Sequence, residues 1–184
     1  MARTLSTMVR LGTKAPDFIL PDSVSGKQLS LNDLKGEIAT MIMFICNHCP
    51  FVKHVNTELV KIANEYRNKG VGFVAISSND VINHPADAPP LMKQVATQLK
   101  YPFPYLYDES QDIAKAYDAA CTPDFFIYDK DLHLVYRGQL DDSRPGNEIP
   151  ITGKDIRHVL DCLINGQAVP QEQRPSIGCN IKWK

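Results

Sequence analysis

Ile38-Ala39-Thr40-Met41-Ile42-Met43-Phe44-Ile45-Cys46-Asn47-His48-Cys49-Pro50 is an apolar run that delivers two cysteines to the start of an amphipathic segment. Residues 38–45 lack polar alternation, the pattern of a central strand buried on both faces. After Pro50, Phe51, Val52, Val55, Leu59, Ile62, Ala63 and Tyr66 recur at helical spacing as far as Asn68-Lys69-Gly70. That spacing predicts a helix, with Glu65 and Lys69 placed for an i, i+4 pair. Residues 71–77 supply a second buried strand, so strand, helix and strand form a βαβ unit whose helix start carries the dithiol. Two cysteines at this spacing can close a small disulfide ring, and the unpaired N–H groups of a helix start favour thiolate. The stretch reads as redox chemistry.

Upstream, Phe18-Ile19-Leu20, a Gly26-Lys27 turn and the alternation of Leu29 with Leu31 predict a β-hairpin capping a sheet edge. Downstream, residues 80–90 with Pro85, Pro89 and Pro90 read as a rigid loop bearing no evident chemical group, followed by a helix marked by Leu91, Val95 and Leu99. Residues 103–107 are expected as a short edge strand, then a helix through Ile113, Ala114 and Tyr117. Cys121-Thr122-Pro123 precedes a predicted hairpin over 124–128 and 132–136. Thr152, with Asp155 three residues on, suggests the N-cap of a last helix through Ile156, Val159, Leu160, Leu163 and Ile164, ended by Gly166. The tail, 167–184, shows no period.

With 184 residues, 43% hydrophobic and 22% charged, the chain is expected to form one domain over 1–184. A net charge of −1 without runs of like charge gives no nucleic-acid footprint and no membrane-attracting patch. The first 14 residues have no apolar leader pattern and no run is long enough to span a bilayer, so a cytoplasmic location is expected. There, five cysteines (Cys46, Cys49, Cys121, Cys162, Cys179) fit free, catalytic or metal-bound thiols better than a disulfide scaffold.

Further residues carry a family likeness. Ala15-Pro16-Asp17-Phe18, Leu34-Lys35-Gly36, Cys46-Asn47-His48-Cys49-Pro50-Phe51-Val52-Lys53, Cys121-Thr122-Pro123-Asp124-Phe125-Phe126, Tyr136-Arg137-Gly138 and Gly178-Cys179-Asn180-Ile181-Lys182-Trp183-Lys184 occur together. The combination resembles the peroxiredoxin-like, CxxC-containing branch of the AhpC/TSA superfamily. The resemblance implies a thioredoxin-like α/β fold: a central mixed sheet flanked by helices, an N-terminal β-hairpin extension, and a cis Thr122-Pro123 bond beside the dithiol. It also implies a Thr122 backbone free to pair with a substrate chain. By the same analogy Cys46 is the exposed attacking thiol and Cys49, one turn into the helix, resolves the mixed disulfide. The family's peroxidases carry Pro-xxx-Thr-xx-Cys; aligned on Cys49, Ile42 and Cys46 stand where the proline and threonine would be. That departure favours dithiol exchange over peroxide reduction, with antioxidant peroxidase activity as the alternative and a metal- or haem-binding module on Cys46, His48, Cys49 and Cys121 as an alternative of another class.

Around the dithiol, His48 resembles the histidine of disulfide isomerases, which stabilises thiolate and makes the couple more oxidising; otherwise it is a solvent-facing side chain. Cys121 reads as a third thiol or a core residue, Cys162 as packing, and Cys179 as an extra thiol or a residue packed beside Trp183. Asn79 and Asp80 end the second strand, where an acid could move a proton from Cys49 or simply form a turn. His54 lies about 140° of helical rotation past Cys49, which turns it from the thiols. No bound cofactor is required. The expected partners are a disulfide-containing protein or a small-molecule disulfide or peroxide, with electrons from a thioredoxin or glutathione system.

Overall fold

The computed structural model describes residues 3–184; Met1 and Ala2, included in the expected domain, lie outside it. The chain runs β1 (Arg3–Leu5), β2 (Ile19–Pro21), β3 (Gln28–Ser30), α1 (Leu31–Leu34), β4 (Ala39–Phe44), α2 (Pro50–Tyr66) and β5 (Val71–Ser77). It continues through α3 (Pro89–Gln98), β6 (Tyr105–Tyr107), α4 (Asp112–Ala116), β7 (Cys121–Thr122), β8 (Asp124–Asp129), β9 (Leu134–Gly138), α5 (Lys154–Ile164) and β10 (Ile177–Asn180). A five-stranded mixed sheet, ordered β6-β5-β4-β8-β9, forms the centre. β4 pairs parallel with β5 and antiparallel with β8, as a strand at the heart of a mixed sheet must.

Every residue of β4 is buried. Because side chains alternate across a strand, Met41, Met43 and Ile45 face a core shared with α2, α3 and α5, whereas Ile42 and Phe44 face Phe18, Leu31, Ala114, Tyr117 and Phe126. Two apolar layers on one strand account for the missing polar alternation. The expected mixed sheet, flanking helices and N-terminal hairpin are all present; β2 and β3 form a separate ribbon, and an Asp22–Leu106 bridge joins it to the β6 edge.

Several local expectations change. Glu65 pairs with Arg157 at 3.0 Å and Lys69 lies over the Tyr66 ring, because the chain tightens into a 3-10 turn at Arg67–Lys69 and the α-helical i, i+4 spacing is lost. Gly70, at φ 81, then ends the helix in the left-handed conformation that costs glycine little. In α3 the buried face is Met92 and Ala96, while Leu91 and Leu99 are exposed. Gly153, not Thr152, caps α5; Asp141 Oδ2 takes the Thr152 and Gly153 N–H groups that a side-chain cap would leave over.

The largest departure is the tail. Residues 177–180 form β10, which runs antiparallel between β1 and β7 in a second, three-stranded sheet. A four-residue strand filling a slot between two others needs no amphipathic period, so its pattern gave no signal. Among the described residues no helix is long and apolar enough to cross a membrane.

Candidate active site

β4 ends at Phe44, Ile45 N donates to the Ile76 carbonyl, and the chain then leaves the sheet, so Cys46 stands just beyond the strand. Cys49 is the N-cap of α2, with Pro50 in the first turn where a missing N–H is tolerated. The expectation of Cys49 one turn inside the helix is therefore corrected: its sulfur sits at the helix mouth. Both cysteines are buried, Cys46 at 1% exposure and Cys49 at 0%, so Cys46 is not the exposed thiol expected. His48 Nδ1 lies 3.9 Å from Cys46 Sγ, and the His48 side chain keeps 22% of its surface.

The two thiols titrate as a pair, and their mutual interaction is the main influence lowering the Cys49 thiol and raising Cys46; burial opposes ionisation at both. The remaining neighbours sort the same way. Cys49 receives the Val52 N–H at the helix mouth and lies 3.0 Å from Cys179 Sγ, whereas Cys46 faces the negative charge of Asp87. The resting anion accordingly sits on Cys49.

The Thr122-Pro123 bond is cis, as the resemblance implied, and the loop it shapes touches both sulfurs. Thr122 Oγ1 lies 3.4 Å from Cys46 Sγ, and the Thr122 carbonyl is 3.1 Å from Cys49 Sγ, within reach of its S–H when that thiol is protonated. The Thr122 backbone is not free for a substrate chain, however, because β10 occupies that edge and sets Cys179 opposite Thr122. Cys179 is buried against Cys49, while Trp183 is 43% exposed.

Asp87 organises the opposite side, from the loop that had shown no evident chemistry. It is fully buried; its Oδ1 accepts the N–H groups of Asn47 (2.8 Å) and His48 (3.2 Å), and its Oδ2 meets His48 Nδ1 (2.6 Å) and Asn79 Nδ2 (2.8 Å). The His84 ring lies parallel to the His48 ring, 5.4 Å between centroids. Only an acidic residue between prolines hinted at Asp87. Asp80, the acid first considered, instead bonds Ile82 N and Asn83 Nδ2 within its own turn.

Cys121 belongs to this loop, but its sulfur lies 3.5 Å from the Pro123 carbonyl, and burial followed by the charge of Asp124 pushes its thiol up. Cys162 lies on α5, 4.0 Å from His158, and His54 bonds Ser143. Arg137 is buried under the other face of the sheet, on Asp124 at 3.0 Å and over the Phe126 ring. Among the described residues, the potential metal-ligating atoms that come together are those of Cys46, His48 and Asp87, within 4.8 Å of one another. Cys49 and Cys121 are not in that group, and hydrogen bonding accounts for the His48–Asp87 approach.

Asp87→Asn tests this arrangement. Asn79 cannot turn its amide to suit, since its Oδ1 accepts the Lys182 N–H. The variant therefore sets two NH2 groups face to face at about 1–3 kcal/mol. It also removes the charge that raises Cys46, so the pH profile of Cys46 alkylation is expected to move to lower pH. An unmoved profile would mean that Asp87 has no electrostatic hold on Cys46.

The AhpC/TSA family is matched over residues 11–137. The thiol-disulfide oxidoreductase ResA of Bacillus cereus is 25% identical over 127 residues, 69% of this chain and 68% of that protein. An uncharacterized conserved protein from Geobacillus kaustophilus, known as a crystal structure, is 61% identical with TM-score 0.99, covering 100% of this chain and 97% of its own. The thioredoxin domain of a thiol-disulfide oxidoreductase from Bacteroides vulgatus shares the fold at 20% identity and TM-score 0.60, over 74% of this chain and 91% of that one.

Proposed function

We propose that this chain, which belongs to the AhpC/TSA family, is a thiol–disulfide oxidoreductase that cycles Cys46 and Cys49 between dithiol and disulfide. One observation carries the reading: two cysteine sulfurs at a helix mouth, both within 3.4 Å of Thr122, the residue that precedes a cis proline. The name of the Bacillus cereus relative points the same way.

In the proposed cycle, the Cys49 thiolate takes the Cys46 proton as Cys46 attacks a substrate disulfide. Cys46 becomes linked to one half of the substrate, and the other half leaves as thiolate. Cys49 then gives up its proton to that leaving thiolate and attacks Cys46. The products are a Cys46–Cys49 disulfide and a reduced substrate, and a dithiol donor from a thioredoxin or glutathione system returns the pair to thiols. No resident cofactor enters these steps. Peroxide reduction is less well supported, since Ile42 and Cys46 replace the family's proline and threonine and Arg137 is engaged with Asp124 across the sheet. A cytoplasmic location is part of the proposal, and cell fractionation tests it.

Stabilising thiolate in the reduced form makes a couple more oxidising. The potential is therefore expected above thioredoxin's, about −270 mV, and to fall less steeply with rising pH than that of a pair with both thiols protonated, because reduction then takes up one proton fewer. Equilibration with glutathione buffers measures it, and a value at or below that of thioredoxin would overturn the expectation, together with any tuning role for His48. Insulin and glutathione-disulfide reduction, peroxide consumption with thioredoxin, and bound-metal analysis distinguish this reading from the peroxidase and metal-binding ones.

A further inference from the structure

Cys179 lies 130 residues beyond Cys49, yet the fold seats it against the dithiol. β10 is held on both edges, by β1 and by β7, and its register sets Cys179 opposite Thr122. The Cys49 and Cys179 sulfurs are 3.0 Å apart, about 1 Å more than a disulfide bond, so modest side-chain movement closes the gap. Both residues are at most 1% exposed. Cys49 thus has a sulfur neighbour on each side, Cys46 from its own loop and Cys179 from the strand lying where a substrate strand was expected.

We propose that Cys179 is a third redox thiol, which exchanges with the Cys46–Cys49 disulfide to give a Cys49–Cys179 disulfide. Cys179 Sγ attacks Cys49 Sγ; the Cys49–Cys179 bond forms as the Cys46–Cys49 bond breaks. Cys46 leaves as thiolate and takes the proton that Cys179 releases. The two-electron oxidation stays within the chain, so no outside oxidant or reductant is consumed. Burial and the hydrogen bond and charge of the Cys49 thiolate keep the proton on Cys179 in the dithiol form. Once Cys49 enters a disulfide, both influences of the anion vanish and Cys179 becomes easier to ionise. The exchange stores the oxidation between α2 and β10 and returns Cys46, the residue beneath His48, as a thiol. The inference rests on the redox reading of Cys46 and Cys49.

Diamide, a small two-electron oxidant that takes up both thiol hydrogens, probes it in the full chain. Wild type, Cys46→Ser and Cys179→Ser are oxidised, quenched in acid, alkylated and mapped by fragmenting the peptides. Cys46→Ser is expected to yield the Cys49–Cys179 link as its main product, and wild type to contain both links. Cys46→Ser protein in which Cys49 and Cys179 stay reduced overturns the proposal. Should that variant fail to fold, wild type decides: a map with the Cys46–Cys49 link alone overturns it equally. Cys179→Ser is the separate check on the function, since a failure there to form Cys46–Cys49 sinks the dithiol reading itself.

Discussion

Cys46→Ser is expected to bring protein-disulfide exchange to background, a loss on the order of a thousandfold or more, because no other group can take the place of an attacking sulfur. Cys49→Ser is expected to stop turnover differently. Its Cys46 loses both the base that accepts its proton and the thiol that resolves its mixed disulfide, so substrate accumulates on Cys46 slowly and stays there. Insulin reduction measures the first effect, and non-reducing electrophoresis with peptide mapping measures the second. The two variants separate the roles even though the resting anion sits on Cys49, for a thiolate at the helix mouth can serve as the proton acceptor without making first contact with substrate. Exchange that survives in Cys46→Ser would move the nucleophile to Cys49.

Gly178→Ala is expected to destabilise the chain by about 3 kcal/mol or more, the upper end of the cost of overpacking. A Cβ at this position would lie 2.0 Å from the Thr122 carbonyl oxygen and 2.6 Å from its carbon. Both are backbone atoms of the cis-proline loop, which cannot swing aside as the end of a side chain would. β10 must therefore draw away from β7, and Cys179 with it. Urea unfolding gives the stability change from the shift in midpoint, and the yield of the Cys49–Cys179 link should fall in parallel. A variant within about 0.5 kcal/mol of wild type would show that the β7–β10 pairing has slack enough to absorb a methyl group.

Parts of this molecule governed by short-range pattern were legible without coordinates. β4 and β5 announced themselves by unbroken apolar runs and α2 by its stripe, so the βαβ unit and the dithiol at its helix start followed. The hairpins over β2–β3 and β8–β9 had turn residues between short apolar runs. The cis proline came from family likeness, since nothing in local spacing distinguishes it. Cap and ion-pair details went astray where a distant group intervened, as Asp141 does at the start of α5 and Arg157 beside Glu65.

For the opening stretch, then, sequence alone determined a buried strand feeding a CxxC pair into a helix, because periodicity and residue type are properties of neighbours along the chain. Which sulfur holds the charge was decided by tertiary structure: Cys49 reaches the helix mouth and Cys179, while Cys46 faces Asp87 from a loop 39 to 41 residues away. The same holds for the occupied Thr122 edge and the third sulfur. Both depend on a four-residue strand from the far end of the chain whose position is set by hydrogen bonding to β1 and β7, and backbone pairing of that kind leaves no mark on side-chain pattern.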